Sequence, residues 1–170
     1  MQHSSPKTLP MWQVLICGAV IVSVAMGIRH GFGLWLQPMT QEMGWGREDF
    51  ATAIGVQNIS WGIFGIFSGM LADRFGAFRV MVVSGLMYAL GLWGMAHAVS
   101  PAWLTLTAGV MVGAAQAGTT FAIVFGVIGR NIPAEKRSWA MGVVSSAGSF
   151  GQFLLVPTSS YLIQQIGWHQ

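Results

Sequence analysis

Charge is what this sequence has least of. It holds 8 Lys or Arg and 5 Asp or Glu in 170 residues, 8% in all. A soluble domain carries about 25%, so there is too little polar surface to coat a water-soluble globule. One cysteine, Cys17, excludes an intrachain disulfide and a cysteine metal site. It lies within an apolar run and reads as a small buried packing residue. No metal-ligand cluster, nucleophile with a nearby base, or phosphate-binding glycine loop is present. Gly31-x-Gly33 falls within an apolar run and follows no strand, so it is no dinucleotide site. The sequence therefore offers no catalytic residues, no metal site and no cofactor site, and the chain is not read as an enzyme. The pI near 9.6 raises nucleic acid as a partner, but the basic residues form no patch or stripe, which argues against it. Alternating apolar and polar residues over about ten positions, the sign of membrane strands, are absent too.

Present instead are long uncharged stretches, with 54% apolar residues, 23 Gly, 11 Met and 8 Trp. A helix needs about 20 apolar residues to cross a bilayer. Charges and turn residues divide the chain into five such runs, predicted as helices over 11–39, 50–72, 80–99, 103–128 and 139–166. The third and fourth are separated at His97, Ser100 and Pro101, since Pro disfavours helix in the residue before it. Residues 1–10 are expected to be a polar tail, and 167–170 part of an outer loop. The fold class is all-α integral membrane. The bilayer is the first partner implied.

Loop charge gives the orientation. Five spans place Lys7, Arg74, Arg79, Arg130, Lys136 and Arg137 on one side and Arg47 alone on the other. Positive loops stay inside, so the N-terminus is expected in the cytoplasm of a cell in whose (inner) membrane the chain sits. Trp12, Trp45, Trp103 and Trp139 fall near helix ends, as interface anchors do. Gly65 with Gly69, and Gly109 with Gly113, have the spacing that lets helix backbones approach closely.

Between the second and third runs stands Gly69-Met70-Leu71-Ala72-Asp73-Arg74-Phe75-Gly76-Ala77-Phe78-Arg79. Gly76 suits a turn with positive φ. Asp73 is placed to cap a helix N-terminus. Arg74 and Arg79 are placed to make charge-assisted hydrogen bonds at the membrane surface. This segment resembles the loop signature of the major facilitator superfamily, a Gly, three residues, Asp-Arg-x-Gly and further basic residues. It departs at Ala77 and Phe78, where the family often has basic residues. The resemblance implies the N-terminal half of a major facilitator fold. It also implies a gating role for Gly69, Asp73, Arg74, Gly76 and Arg79, which in the family brace two halves in one conformational state.

Softer cues extend over nearly the whole chain. They are Arg29-His30-Gly31-Phe32-Gly33 leading to Pro38, Glu42 to Phe50, Arg130 to Arg137, and Pro157 followed by Gly167-Trp168. Together they resemble the monocarboxylate-transporter-like and oxalate/formate-antiporter-like branch. The fourth span lacks the Arg, and the fifth the Gly-Pro pair, usual in the superfamily's drug/proton antiporters. The resemblance implies secondary transport of small organic anions. The stop at Gln170 is read as that of an incomplete N-terminal portion whose partner, a C-terminal half, is missing. Two alternatives stand beside this: a non-transporting truncated protein or assembly module, and a major facilitator transporter for a different small solute.

Arg29 is the most informative single residue. A charge within a membrane helix costs at least about 2.5 kcal/mol and normally faces a cavity or a partner. Two kinds of reading are open: contact with a substrate carboxylate, or a bland role in which it snorkels to the outer headgroups or pairs with Glu42 or Asp49. His30 beside it reads as structural. Asn58, Gln116 and Gln152 are the cavity candidates among the uncharged polar residues. Gln116 shares a face with Thr120, and Gln152 one with Ser145 and Ser149. Such faces either line a cavity or hydrogen-bond between helices.

Overall fold

The computed structural model describes residues 10–167. Residues 1–9, with Lys7, and 168–170 lie outside the described residues. No strand is present among the described residues. Five helical stretches are long and apolar enough to cross a membrane.

The first span consists of α1 (Met11–Gly31) and α2 (Gly33–Met43). It is not the single helix to Met39 that the sequence suggested. Phe32 keeps right-handed angles, φ −53° and ψ −35°. The ladder tightens there: the Phe32 amide bonds to the Arg29 carbonyl and the Trp35 amide to the Phe32 carbonyl, both three residues back. Glycines on either side of Phe32 give a bulky residue room for that tight turn.

α3 (Arg47–Phe75) opens where the Asp49 carboxylate accepts the Gly46 amide at 3.1 Å. Glu48 and Asp49 in its first turn suit the positive end of the helix. α4 (Ala77–Ala96) follows after Gly76 alone, at φ 90° and ψ 141°. A side chain at that φ would be strained. The fourth span is assembled from pieces. α5 (Pro101–Leu104) starts with Pro at its first position, and Ser100 Oγ accepts the Trp103 amide. A π-helical stretch, Thr105–Met111, precedes α6 (Val112–Thr119). Thr120, extended at φ −106° and ψ −170°, then breaks the span before α7 (Phe121–Asn131). α8 (Ala134–Ile166) runs unbroken through Pro157. Arg47, Asp73, Arg74, Arg130 and Glu135 all lie inside helices, so the helices outrun the uncharged stretches. A charge marks where the chain meets water, and it does not stop a helix.

Between lipid-solvated helices, close packing and hydrogen bonds replace the hydrophobic effect. α1 and α8 pack along their length. Ser23 Oγ donates to the Ala147 carbonyl at 2.6 Å. A Cβ on Gly27 would lie 2.8 Å from the Gly151 carbonyl oxygen. On the other side of the bundle the fourth span packs against α3 and α4. A Cβ on Gly109 would come within 3.0 Å of the Ala53 carbonyl oxygen, and one on Gly113 would meet the Gln57 backbone. Gly65 and Gly69 correct the expectation drawn from their spacing: no neighbouring atom lies within 4 Å of where their Cβ would be. The buried side chains form two clusters. One, with Val22, Val124 and Val144, joins α1, α7 and α8. The other, with Phe50, Tyr88 and Val112, joins α3, α4 and α6.

Candidate functional site

The discontinuities of the fourth span are held by its own threonine hydroxyls and by side chains from α3. The carbonyls of Ala115, Gln116 and Ala117, just before the break at Thr120, accept the hydroxyls of Thr119, Thr120 and Ser68 at 2.9–3.1 Å. In the π stretch, the Ala108 carbonyl accepts Gln57 Nε2 at 2.8 Å. Lipid offers no donor, so carbonyls displaced from a regular ladder need partners of this kind.

Arg29 lies beside these irregularities. Its Nη2 donates to Asn58 Oδ1 at 2.7 Å. Asn58 Nδ2 in turn donates to the Ile54 carbonyl at 2.9 Å, which fixes the amide with its oxygen toward Arg29. The guanidinium carbon lies 4.4 Å from the centroid of the Trp61 ring. Trp61 Nε1 donates to Thr120 Oγ1 at 3.4 Å. Among the described residues the partners of the guanidinium are therefore neutral, and its charge is stabilised but not cancelled. Neither Glu42 nor Asp49 forms an ion pair with it; Asp49 serves Gly46 instead. Asn58 and Trp61 lie around the middle of α3, so the Arg29 guanidinium, from the last turn of α1, is held beside the middle of that helix.

Of the four residues expected to meet substrate, the structure brings Arg29 and Asn58 together. Gln116 stands elsewhere. It is fully buried against α4, with Nε2 donating to the Tyr88 hydroxyl at 3.5 Å and Oε1 without a partner. It packs between helices and lines no open wall. Gln152, half-buried on α8, makes no side-chain hydrogen bond among the described residues. Two clefts, of about 290 and 370 Å³, are lined mainly by apolar side chains and by neither Arg29 nor Asn58. The Arg29 group thus stands on an open face of the chain. Trp61 was missed in the sequence. Its position three residues after Asn58, on the same helical face, was the available signal.

At the basic end of the bundle, Asp73 lies in the last turn of α3. It does not cap α4, which corrects that expectation; Gly76 takes the cap position. Asp73 Oδ1 accepts Arg130 Nη1 at 2.7 Å. The pair ties the turn after α3 to the end of α7. Both turns therefore lie at one end of the bundle, with Arg74, Arg79, Lys136 and Arg137. Arg74 lies over the Phe75 ring at 5.3 Å. No group of three or more His, Cys, Asp or Glu side chains poised for a metal ion occurs among the described residues.

The model of the Major Facilitator Superfamily matches residues 15–170. This chain belongs to the Major Facilitator Superfamily. The resemblance read from Gly69 to Arg79 was to this family, and the five spans agree with the N-terminal half of its fold. Human monocarboxylate transporter 14 is 25% identical over 164 residues, 92% of this chain and 30% of the relative. The uncharacterized MFS-type transporter YhjX of Escherichia coli K12 is 30% identical over 105 residues, 62% of this chain and 26% of the relative. The niacin transporter NiaP of Acinetobacter baylyi is 28% identical over 116 residues, 68% of this chain and 26% of the relative. The chain spans under a third of the length of these relatives. As a member of this family it is a multi-pass membrane protein.

Proposed function

We propose that this major facilitator chain is an N-terminal portion of a secondary transporter for small organic anions, of monocarboxylate or dicarboxylate type, working by alternating access. Residues 11–166 supply the first five spans, and a further half supplies the opposing wall. The N-terminus lies in the cytoplasm and the bundle in the cell membrane. Arg29, with Asn58, meets the carboxylate; Gln116 supports the packing, and Gln152 faces the cavity from α8. Gly69, Asp73, Arg74, Gly76 and Arg79 form the gate at the basic end.

One observation carries this reading: a guanidinium beside the middle of α3, oriented by Asn58 and stacked on Trp61, with no carboxylate partner among the described residues. A membrane-embedded cation with only neutral partners is costly unless an anion visits it. The planar fork of Arg matches a carboxylate with two parallel hydrogen bonds. The names of two of the relatives, a monocarboxylate transporter and a niacin transporter, point to carboxylates as well.

Uptake of labelled lactate and benzoate into proteoliposomes tests this, using the longer protein that would contain this chain. A charge-assisted hydrogen bond contributes about 1.5–3 kcal/mol, so Arg29→Gln is expected to lower uptake at least about tenfold at equal protein. The 170-residue chain alone is expected to accumulate none. Uptake of both anions at the unmodified rate by Arg29→Gln rejects the reading.

A further inference from the structure

Trp61, at the middle of α3, makes two contacts at once. Its ring face carries the Arg29 guanidinium at 4.4 Å, and its indole N–H donates to Thr120, where the fourth span breaks. A guanidinium presents its donors in one plane, so a carboxylate can be met with two parallel hydrogen bonds only along that plane. Two restraints are needed to fix such a group, one on the plane and one on rotation within it. Asn58 Oδ1, accepting Nη2 at 2.7 Å, sets the rotation. The Trp61 ring sets the plane. Trp61 is in turn held by Thr120, whose own hydroxyl donates to the Gln116 carbonyl at 2.9 Å.

Resting on the reading of Arg29 as the anion contact, we infer that Trp61 is the positioning residue of that site. The ring aims the free edge of the guanidinium at the carboxylate, through its electron-rich face and not through bulk alone. A ring that merely filled space would do its work whatever its electron density. A ring that orients a cation through its face weakens as that density is withdrawn.

Fluorinated tryptophans introduced at position 61 alone separate the two, because fluorine drains the ring face with little change of shape. The whole chain is placed in nanodiscs and benzoate binding is titrated by calorimetry in the millimolar range. The dissociation constant is expected to rise stepwise with fluorination, reaching about two- to fivefold at the tetrafluoro ring, as the loss of one cation–π contact on an open face would give. Trp61→Leu is expected to lose as much, and Arg29→Gln to remove binding. A flat dissociation constant across the fluorinated series, with binding still lost in Arg29→Gln, overturns the role of Trp61 and leaves the anion site standing. Benzoate binding that survives Arg29→Gln, or that the unmodified chain lacks, overturns the anion site and the role of Trp61 together.

Discussion

The Asp73 carboxylate accepts a hydrogen bond from the Arg130 guanidinium at 2.7 Å, across 57 residues of sequence. The pair joins the turn after α3 to the end of α7, and both side chains are well exposed. An exposed ion pair contributes roughly 0–1 kcal/mol to stability. Asp73→Asn and Arg130→Gln are therefore expected to leave the thermal midpoint of the purified chain nearly unchanged. If the pair belongs to a gate, Asp73→Asn in the longer transporter should slow transport several-fold at preserved expression. A large fall in the midpoint with an unchanged transport rate would assign the pair to structure.

Gly151 faces the backbone of Ser23 so closely that a Cβ there would collide with it. Backbone cannot rotate aside as a side chain end does. Gly151→Ala is expected to push α1 and α8 apart and destabilise the chain by about 1–3 kcal/mol, the usual cost of overpacking. Gly69→Ala, where no atom lies within 4 Å, is expected to cost nothing measurable in the same chain. Thermal unfolding in detergent compares the two. Equal midpoints would show that the α1–α8 approach is looser than described.

These two glycines also show what the sequence could and could not reveal. Uncharged runs and the turn at Pro101 were enough to count the spans, because lipid excludes charge over a fixed thickness. The segment from Gly69 to Arg79 was enough to point to the family. Gly65 with Gly69 and Gly109 with Gly113 have one spacing, yet only the second pair meets a neighbouring helix, α3. Spacing states what a helix face permits; the neighbour decides whether it is used. The break at Thr120 and the π stretch had no punctuation of their own. Ser68 and Gln57 on α3 hydrogen-bond carbonyls beside them, contacts that exist only once the helices are packed. Arg29 was legible as an expensive charge, while Trp61 and Arg130 became its neighbour and the partner of Asp73 only once the helices were packed.

Orientation follows from the basic end of the bundle. Cys17 is exposed and not the buried packing residue expected; with Cys17→Ser as background, Glu48→Cys and Lys136→Cys place single thiols at the first turns of α3 and α8, both at exposed positions. In intact cells a membrane-impermeant maleimide is expected to label position 48 and to reach position 136 only after permeabilisation. The reverse pattern would put the N-terminus outside, against the charge bias.

Gln57 gives the sharpest test of how the irregular span is stabilised. Its side chain is buried, and Nε2 donates to the Ala108 carbonyl in the π stretch at 2.8 Å. A wide turn leaves carbonyls poorly served by their own helix, and lipid cannot replace the missing donor. Gln57→Leu keeps much of the volume and removes the donor, so the Ala108 carbonyl is left unsatisfied at a cost of about 1–3 kcal/mol. Two outcomes are then expected together: a lower thermal midpoint, and faster hydrogen exchange confined to Thr105–Val112. Exchange in Gln57→Leu no faster than in the unmodified chain would mean that the π stretch holds itself, and that Gln57 is a consequence of the wide turn and not its support.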